Sequence, residues 1–149
     1  MAGVWPGSAA DLIHPASPYF KTDALAGYYV QYGKMLGLRA DILWAMARVE
    51  TGEFRFGGQV KPEQNNFCGL RKRDGSGFYT FDTPVSGVIA HVAHLAWHVF
   101  PNHVGPYCSH AYDPKHGEHP NDMKVVRDLT IWAGGSTTYA PGVVRRCNE

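Results

Sequence analysis

Apolar positions recur at helical spacing along much of the chain. With Thr22 or Asp23 as N-cap, a first helix is predicted through Ala24, Leu25, Tyr28, Tyr29, Tyr32, Met35 and Leu36. Gly37 stands where a left-handed residue commonly ends a helix. A second helix follows from about Arg39 to Thr51, with Gly52 as its stop. Asp82 or Thr83 caps a third, Pro84 occupies its first turn, and Pro101 closes it. A fourth is predicted from Asn121 or Asp122 to Ala133, ended by Gly134 and Gly135, and a short last one begins near Pro141. Between Glu53 and Tyr79 the helical period is lost. Turn residues take over at Gly57-Gly58, Pro62, Asn65-Asn66 and Asp74-Gly75, and short extended pieces flank Asp74 to Gly77. The first twenty residues, with Pro6, Pro15 and Pro18, read as an extended arm packed on the domain. The expectation is one mainly α (α+β) domain over 1–149, with a small irregular or hairpin lobe after the second helix.

One position breaks the apolar pattern of that second helix. At 100° per residue Glu50 shares a face with Leu43, Met46 and Ala47, while Arg48 points roughly the opposite way. A carboxylate on an apolar face is uncommon. It also sits in the last turn, beside carbonyls of partial negative charge. Both influences oppose ionisation and raise the pKa. A carboxylic acid still protonated near neutral pH is what a glycosidase needs to protonate a leaving oxygen. A plainer reading, a glutamate reaching water past Gly52, competes on helix position alone.

Composition narrows the classes. The chain is 44% hydrophobic and 13% aromatic, enough for a core without metal or disulfide staples. Its formal charge of +1 gives no bulk reason to bind nucleic acid or an anionic membrane. Arg71-Lys72-Arg73 reads as a solvated loop. The three cysteines form no disulfide framework, although a single Cys108–Cys147 bridge is conceivable, and a reducing cytosol fits best. No secretory signal opens the chain, and Pro84 to Phe100 is too short and too rich in His to span a bilayer.

The neighbourhood of Glu50 strengthens the glycosidase reading. Ala47-Arg48-Val49-Glu50-Thr51-Gly52 is followed by Phe54-Arg55-Phe56-Gly57-Gly58 and by Gln64-Asn65-Asn66-Phe67-Cys68-Gly69-Leu70. Phe81-Asp82-Thr83-Pro84 then leads into Gly87-Val88-Ile89-Ala90-His91-Val92-Ala93-His94-Leu95, and Trp132-Ala133 precedes Tyr139-Ala140. In this order, over roughly Thr22 to Val144, the chain resembles the endo-β-N-acetylglucosaminidases of bacteria and their phages. Those enzymes have a lysozyme-like fold and cut the glycan strands of peptidoglycan. The resemblance implies that Glu50 is the general acid, that Asn65 to Leu70 line the cleft, and that Tyr139 faces the scissile bond. Cys68 departs from the family, which more often has an aromatic, Ala or Pro there.

A sugar groove needs aromatics for stacking and amides for paired hydrogen bonds. Phe67, Tyr79, Phe81, Trp132 and Tyr139 are candidates for the first, Asn65 and Asn66 for the second. Core packing is the simpler reading of Phe81 and Trp132, and turn formation is compatible with both asparagines. A second carboxylate would come from Glu53, Glu63, Asp74 or Asp82, with Asp82 engaged in capping and Asp74 in its turn. The substrate's own N-acetyl group is the alternative.

Histidines raise the question of metal. His91, His94 and His98 lie on one flank of the third helix, where three imidazoles can meet an ion. A zinc site needs a further ligand and a shaped second shell, however, and the resembling family also has His near 91 and 94, which favours hydrogen-bonded structural roles. The loop with His103, Cys108, His110, His116 and His119 is denser in ligands but fits no standard zinc spacing, and a zinc there would staple the loop.

The reading is a cofactor-free, monomeric peptidoglycan hydrolase, made in the cytoplasm and acting on the wall after release or as part of a virion. It needs neither nucleic acid nor membrane insertion. A phage endolysin or virion-associated lysin fits these features. A muramidase or lytic transglycosylase on the same fold, and a non-catalytic glycan- or metal-binding module, are the alternatives. A thiol peptidase would need Cys68 as nucleophile, in a turn that does not activate it.

Overall fold

The computed structural model describes residues 1–100, 105–118 and 122–149. It is mainly helical: α1 spans Thr22–Leu36, α2 Ala40–Glu50, α3 Pro84–Val99, α4 Leu129–Trp132 and α5 Tyr139–Cys147. Single 3-10 turns lie at Ala9–Asp11, Pro62–Gln64 and Val126–Asp128.

The α1 helix ends as its sequence demands, with Gly37 left-handed at φ 75°. Thr83 caps α3, its Oγ1 accepting from Ser86 N–H, and Pro84 opens the first turn. Pro101, expected to close α3, lies outside the described residues; the helix ends at Val99.

Every residue of α2 from Ala40 to Arg48 is buried, so this helix is the axis of the molecule rather than a half-exposed one. It is wrapped by α1 and α5, while α1 also packs on α3. Arg48, opposite the apolar face, is buried too: its guanidinium donates to Glu53 and to Glu149, which lie beside α5.

An aromatic series fills the core beside α2. Trp44 and Phe54 have ring centroids 4.9 Å apart, Phe54 and Phe67 6.1 Å, and Phe67 and Phe20 5.2 Å. The N-terminal arm is fastened to this core. Trp44 Nε1–H donates to Ile13 O at 2.9 Å, and Ser17 Oγ–H donates to Phe54 O at 2.7 Å.

The lobe after α2 is irregular, with one antiparallel bridge, Arg71 with Phe78, closing the Asp74–Gly77 turn. Asp74 Oδ1 accepts from Ser76 N–H there, as its place in the turn implies.

The fourth predicted helix is a correction. Asn121 lies outside the described residues, and 122–125 are not helical. Only a 3-10 turn and the four residues of α4 form before Gly134 and Gly135, both left-handed. Asp128 explains the late start: its carboxylate accepts from the N–H groups of Lys124 and Val125, offering the backbone an alternative to helical pairing. The last helix begins at Tyr139, two residues before Pro141.

All three cysteines are free thiols, so the conceivable Cys108–Cys147 bridge is not made.

Candidate active site

The C-terminal end of α2 opens into a cleft of about 970 Å³. Glu50 lies in it, with the Gly69 turn on one side and Trp132 and Tyr139 on the other. His94 and His98 of α3, Lys115 and Glu118 also line it.

Glu50 is held by an unusual piece of backbone. Directly after α2, Glu53, Phe54 and Phe56 are all left-handed, at φ 61°, 59° and 62°. Each such non-glycine residue costs roughly 1–3 kcal/mol and persists only where its surroundings over-determine it. They do so here. Thr51 Oγ1–H donates to Ala47 O and the same oxygen accepts from Phe54 N–H, both at 2.8 Å. Glu53 accepts from Arg48 Nε at 2.7 Å and Arg146 Nε at 2.6 Å. Phe54 is locked in the core. The chain therefore turns abruptly at the end of α2 and leaves the last side chain facing the cleft.

Burial pushes the Glu50 carboxyl from its ordinary 4.5 up to about 7, against the opposing pull of Tyr139 and Trp132. The residue as a whole is half-buried, so the enclosed carboxyl still reaches the cleft. Tyr139 stands beside it, its hydroxyl buried without a hydrogen bond of normal geometry. Trp132 lies against three imidazoles, with centroids 5.6 Å from His91, 5.3 Å from His94 and 5.8 Å from His98.

The other sequence candidates are dispersed. Asn66 is buried and its amide is wholly engaged. Nδ2 donates to Leu70 O and Tyr79 O, both at 3.0 Å, and Oδ1 accepts from Leu70 N–H at 3.1 Å. Asn65, left-handed at φ 52°, donates to Phe81 O at 2.9 Å. Phe67 is fully buried in the core. These three form and anchor the turn rather than line the cleft. Tyr79 and Phe81 border a separate cavity of about 290 Å³. Of the residues expected at the sugar, Glu50, Tyr139 and Trp132 come together.

None of the four candidate second carboxylates lines the cleft. Glu53 is tied to two arginines, Glu63 and Asp74 are exposed, and Asp82 is not the α3 cap. The acid that sequence reasoning missed is Glu118, alone with Glu50 among the described carboxyl groups of the cleft. Arg73 donates to it at 2.6 and 2.9 Å and Lys115 lies 3.7 Å away. These cations hold its carboxyl below the usual range against the effect of burial.

His91 is fully buried, its Nδ1 2.7 Å from Tyr29 Oη, and desolvation keeps it neutral with a pKa near 3. The His-rich loop does not converge: His116 packs on Trp97 and His110, and no three His, Cys, Asp or Glu side chains gather as metal ligands among the described residues. His103 and His119 lie outside them. Nor is any described helix long and apolar enough to cross a membrane.

No model of a known protein family, no characterised protein and no solved structure matches the chain.

Proposed function

We propose that this protein is a peptidoglycan hydrolase of lysozyme-like fold that cleaves the β-1,4 glycan strand as an endo-β-N-acetylglucosaminidase. One observation carries the reading: Glu50 is a carboxyl group whose pKa is raised to about 7, so that a large share of it keeps its proton near neutral pH, at the edge of an open cleft. That is the state a general acid needs to protonate the oxygen of a departing sugar. The cleft volume lies at the upper end of the ~300–1,000 Å³ typical of ligand sites. Trp132 offers an indole at the acid, and the Tyr139 hydroxyl stands beside its carboxyl.

The second catalytic function falls to the substrate. Glu118 is held through Oε1 by Arg73, and the charges of Arg73 and Lys115 lower its pKa, which makes it a weak base or nucleophile. The N-acetyl carbonyl of the sugar before the scissile bond attacks its own anomeric carbon while Glu50 protonates the leaving oxygen. The resulting Glu50 carboxylate then takes a proton from the water that opens the cyclic intermediate. Preference for the bond after N-acetylglucosamine rests on the motif resemblance, as does the assignment to a phage endolysin or virion-associated lysin.

Mass spectrometry of the ends released from purified peptidoglycan tests the reading. New reducing N-acetylglucosamine is expected. Reducing N-acetylmuramic acid would assign a muramidase, anhydro-muramic ends a transglycosylase, and no new ends at all would overturn the enzyme reading.

A further inference from the structure

The run Arg71-Lys72-Arg73 follows the Gly69 turn that touches Glu50, and its three residues have different fates. Arg73 is taken by Glu118, to which it donates at 2.6 and 2.9 Å. Lys72 closes the hairpin, its N–H donating to Gly77 O at 2.8 Å. Arg71 bridges to Phe78 across the same turn, and Tyr79 N–H donates to Leu70 O at 3.0 Å beside it. This short ladder fixes the backbone of Arg71 two residues beyond Gly69. Two residues of chain span at most about 7 Å, so Arg71 enters the cleft close to the acid.

Its side chain is held in place but has no counter-ion. The guanidinium lies over the Phe78 ring, 4.9 Å from the centroid, and Nη2 donates to Gln59 Oε1 at 3.2 Å. Arg71, Phe78 and Gln59 all line the cleft. A guanidinium has five N–H donors, and among the described residues Gln59 is the one acceptor they meet. No described carboxylate pairs with Arg71, whereas Lys115, the other Lys or Arg of the lining, faces Glu118 at 3.7 Å. A planar cation with a fixed fork of donors matches a carboxylate. Stacking on Phe78 and the tether to Gln59 restrain the side chain beforehand, which lowers the entropy lost when an anion binds.

We propose that Arg71 is a specificity-determining residue that binds a carboxylate carried by the glycan strand beside the bond Glu50 attacks. Within the peptidoglycan reading, on which this inference rests, that contact selects among strands. A strand of N-acetylglucosamine alone is neutral. The lactyl group of N-acetylmuramic acid ends in a carboxylate, and where a peptide stem is joined to it the stem supplies carboxylates instead. Either source presents the same planar anion. With a formal charge of only +1, the chain has no bulk attraction for such a strand, so recognition is local to Arg71.

The experiment is calorimetry of the full chain carrying Glu50→Gln, titrated with soluble peptidoglycan strands and with the same strands after methyl esterification. Strands bearing stems and strands stripped by an amidase are run separately, which reads the stem and lactyl carboxylates apart. At least one charged form is expected to bind about tenfold more tightly than its ester, as one exposed charge-assisted contact allows. Added salt should shrink that difference. Arg71→Gln in the same background should close it, and Arg71→Lys should recover part of it by charge without the fork. Arg71 is exposed, so both substitutions leave the core untouched, and an unchanged melting temperature verifies it. Equal affinity for charged and esterified strands of both kinds would overturn the proposal and leave glycan binding standing. A difference that survives Arg71→Gln would overturn it too. No binding of any strand would remove this proposal together with the hydrolase reading. A difference that depends on Arg71, in a protein whose wild type cuts no strand, would remove the hydrolase reading alone.

Discussion

A β-carbon placed on Gly69 would lie 2.6 Å from Oε2 of Glu50, with Gly69 itself left-handed at φ 67°. The turn after Cys68 therefore meets the acid through bare backbone, the closest approach a chain can make. This contact excludes water from one side of the carboxyl and so takes part in the desolvation that raises its pKa. Gly69→Ala should push the carboxyl out of position. We expect a loss of activity of tenfold or more, and a stability cost of about 1 kcal/mol from the backbone conformation alone. Retained activity in a folded Gly69→Ala protein would show that the contact does not position Glu50.

Glu50 also gives the protein a characteristic pH dependence. A general acid must be protonated, so kcat/KM should fall as pH rises through about 7. The stability effect has the same sign. The folded state binds this proton more tightly than the unfolded chain, so stability falls between pH 4.5 and about 7, where the unfolded chain ionises while the folded carboxyl still holds its proton, and levels off once the folded carboxyl ionises too. Glu50→Gln removes that penalty. Its melting temperature should match wild type at low pH and exceed it above neutrality, by up to about 3 kcal/mol in stability. Thermal melts of both proteins across pH 4–9 check the crossover.

Asn66 serves the fold. Asn66→Ala would leave the carbonyls of Leu70 and Tyr79 without their donor inside the protein, at roughly 1–3 kcal/mol for each group that water cannot reach. A melting temperature several degrees lower is expected, with activity loss following the loss of folded protein. Unchanged stability with weaker substrate binding would return Asn66 to the sugar-contact role.

Glu118→Gln separates the two sources of the second catalytic function. With the N-acetyl carbonyl as nucleophile, the variant should keep activity within about tenfold. A loss of ~10²–10⁴-fold would make Glu118 the acid–base partner of Glu50.

Local signals carried much of this architecture. Gly37, Thr83 and Pro84 mark helix ends by chemistry confined to one turn, and those ends are where the chain folds them. Glu50 was legible for the same reason, since a period of 3.6 residues places it on the face of Leu43, Met46 and Ala47. What depended on distant partners was not legible. Asn66 and Phe67 sit beside the cleft in sequence, yet the first is taken by Leu70 and Tyr79 and the second by Phe20 and Phe54. Glu118 gains its character from Arg73, 45 residues earlier. The short α4 was misjudged because Asp128 reads as an ordinary helix residue until its carboxylate is seen gathering Lys124 and Val125. His94 and His98 were visible as a helical pair, but Asp113 and Asp122, which aim them, come from beyond the helix.

The most direct trial is hydrolysis of purified peptidoglycan by Glu50→Gln beside wild type at equal folded concentration. The amide keeps the shape of the side chain and removes the transferable proton. A fall of ~10²–10⁴-fold, in a protein melting at or above the wild-type temperature, is the predicted result. Strand cleavage above about one per cent of wild type would contradict the assignment of Glu50 as the acid.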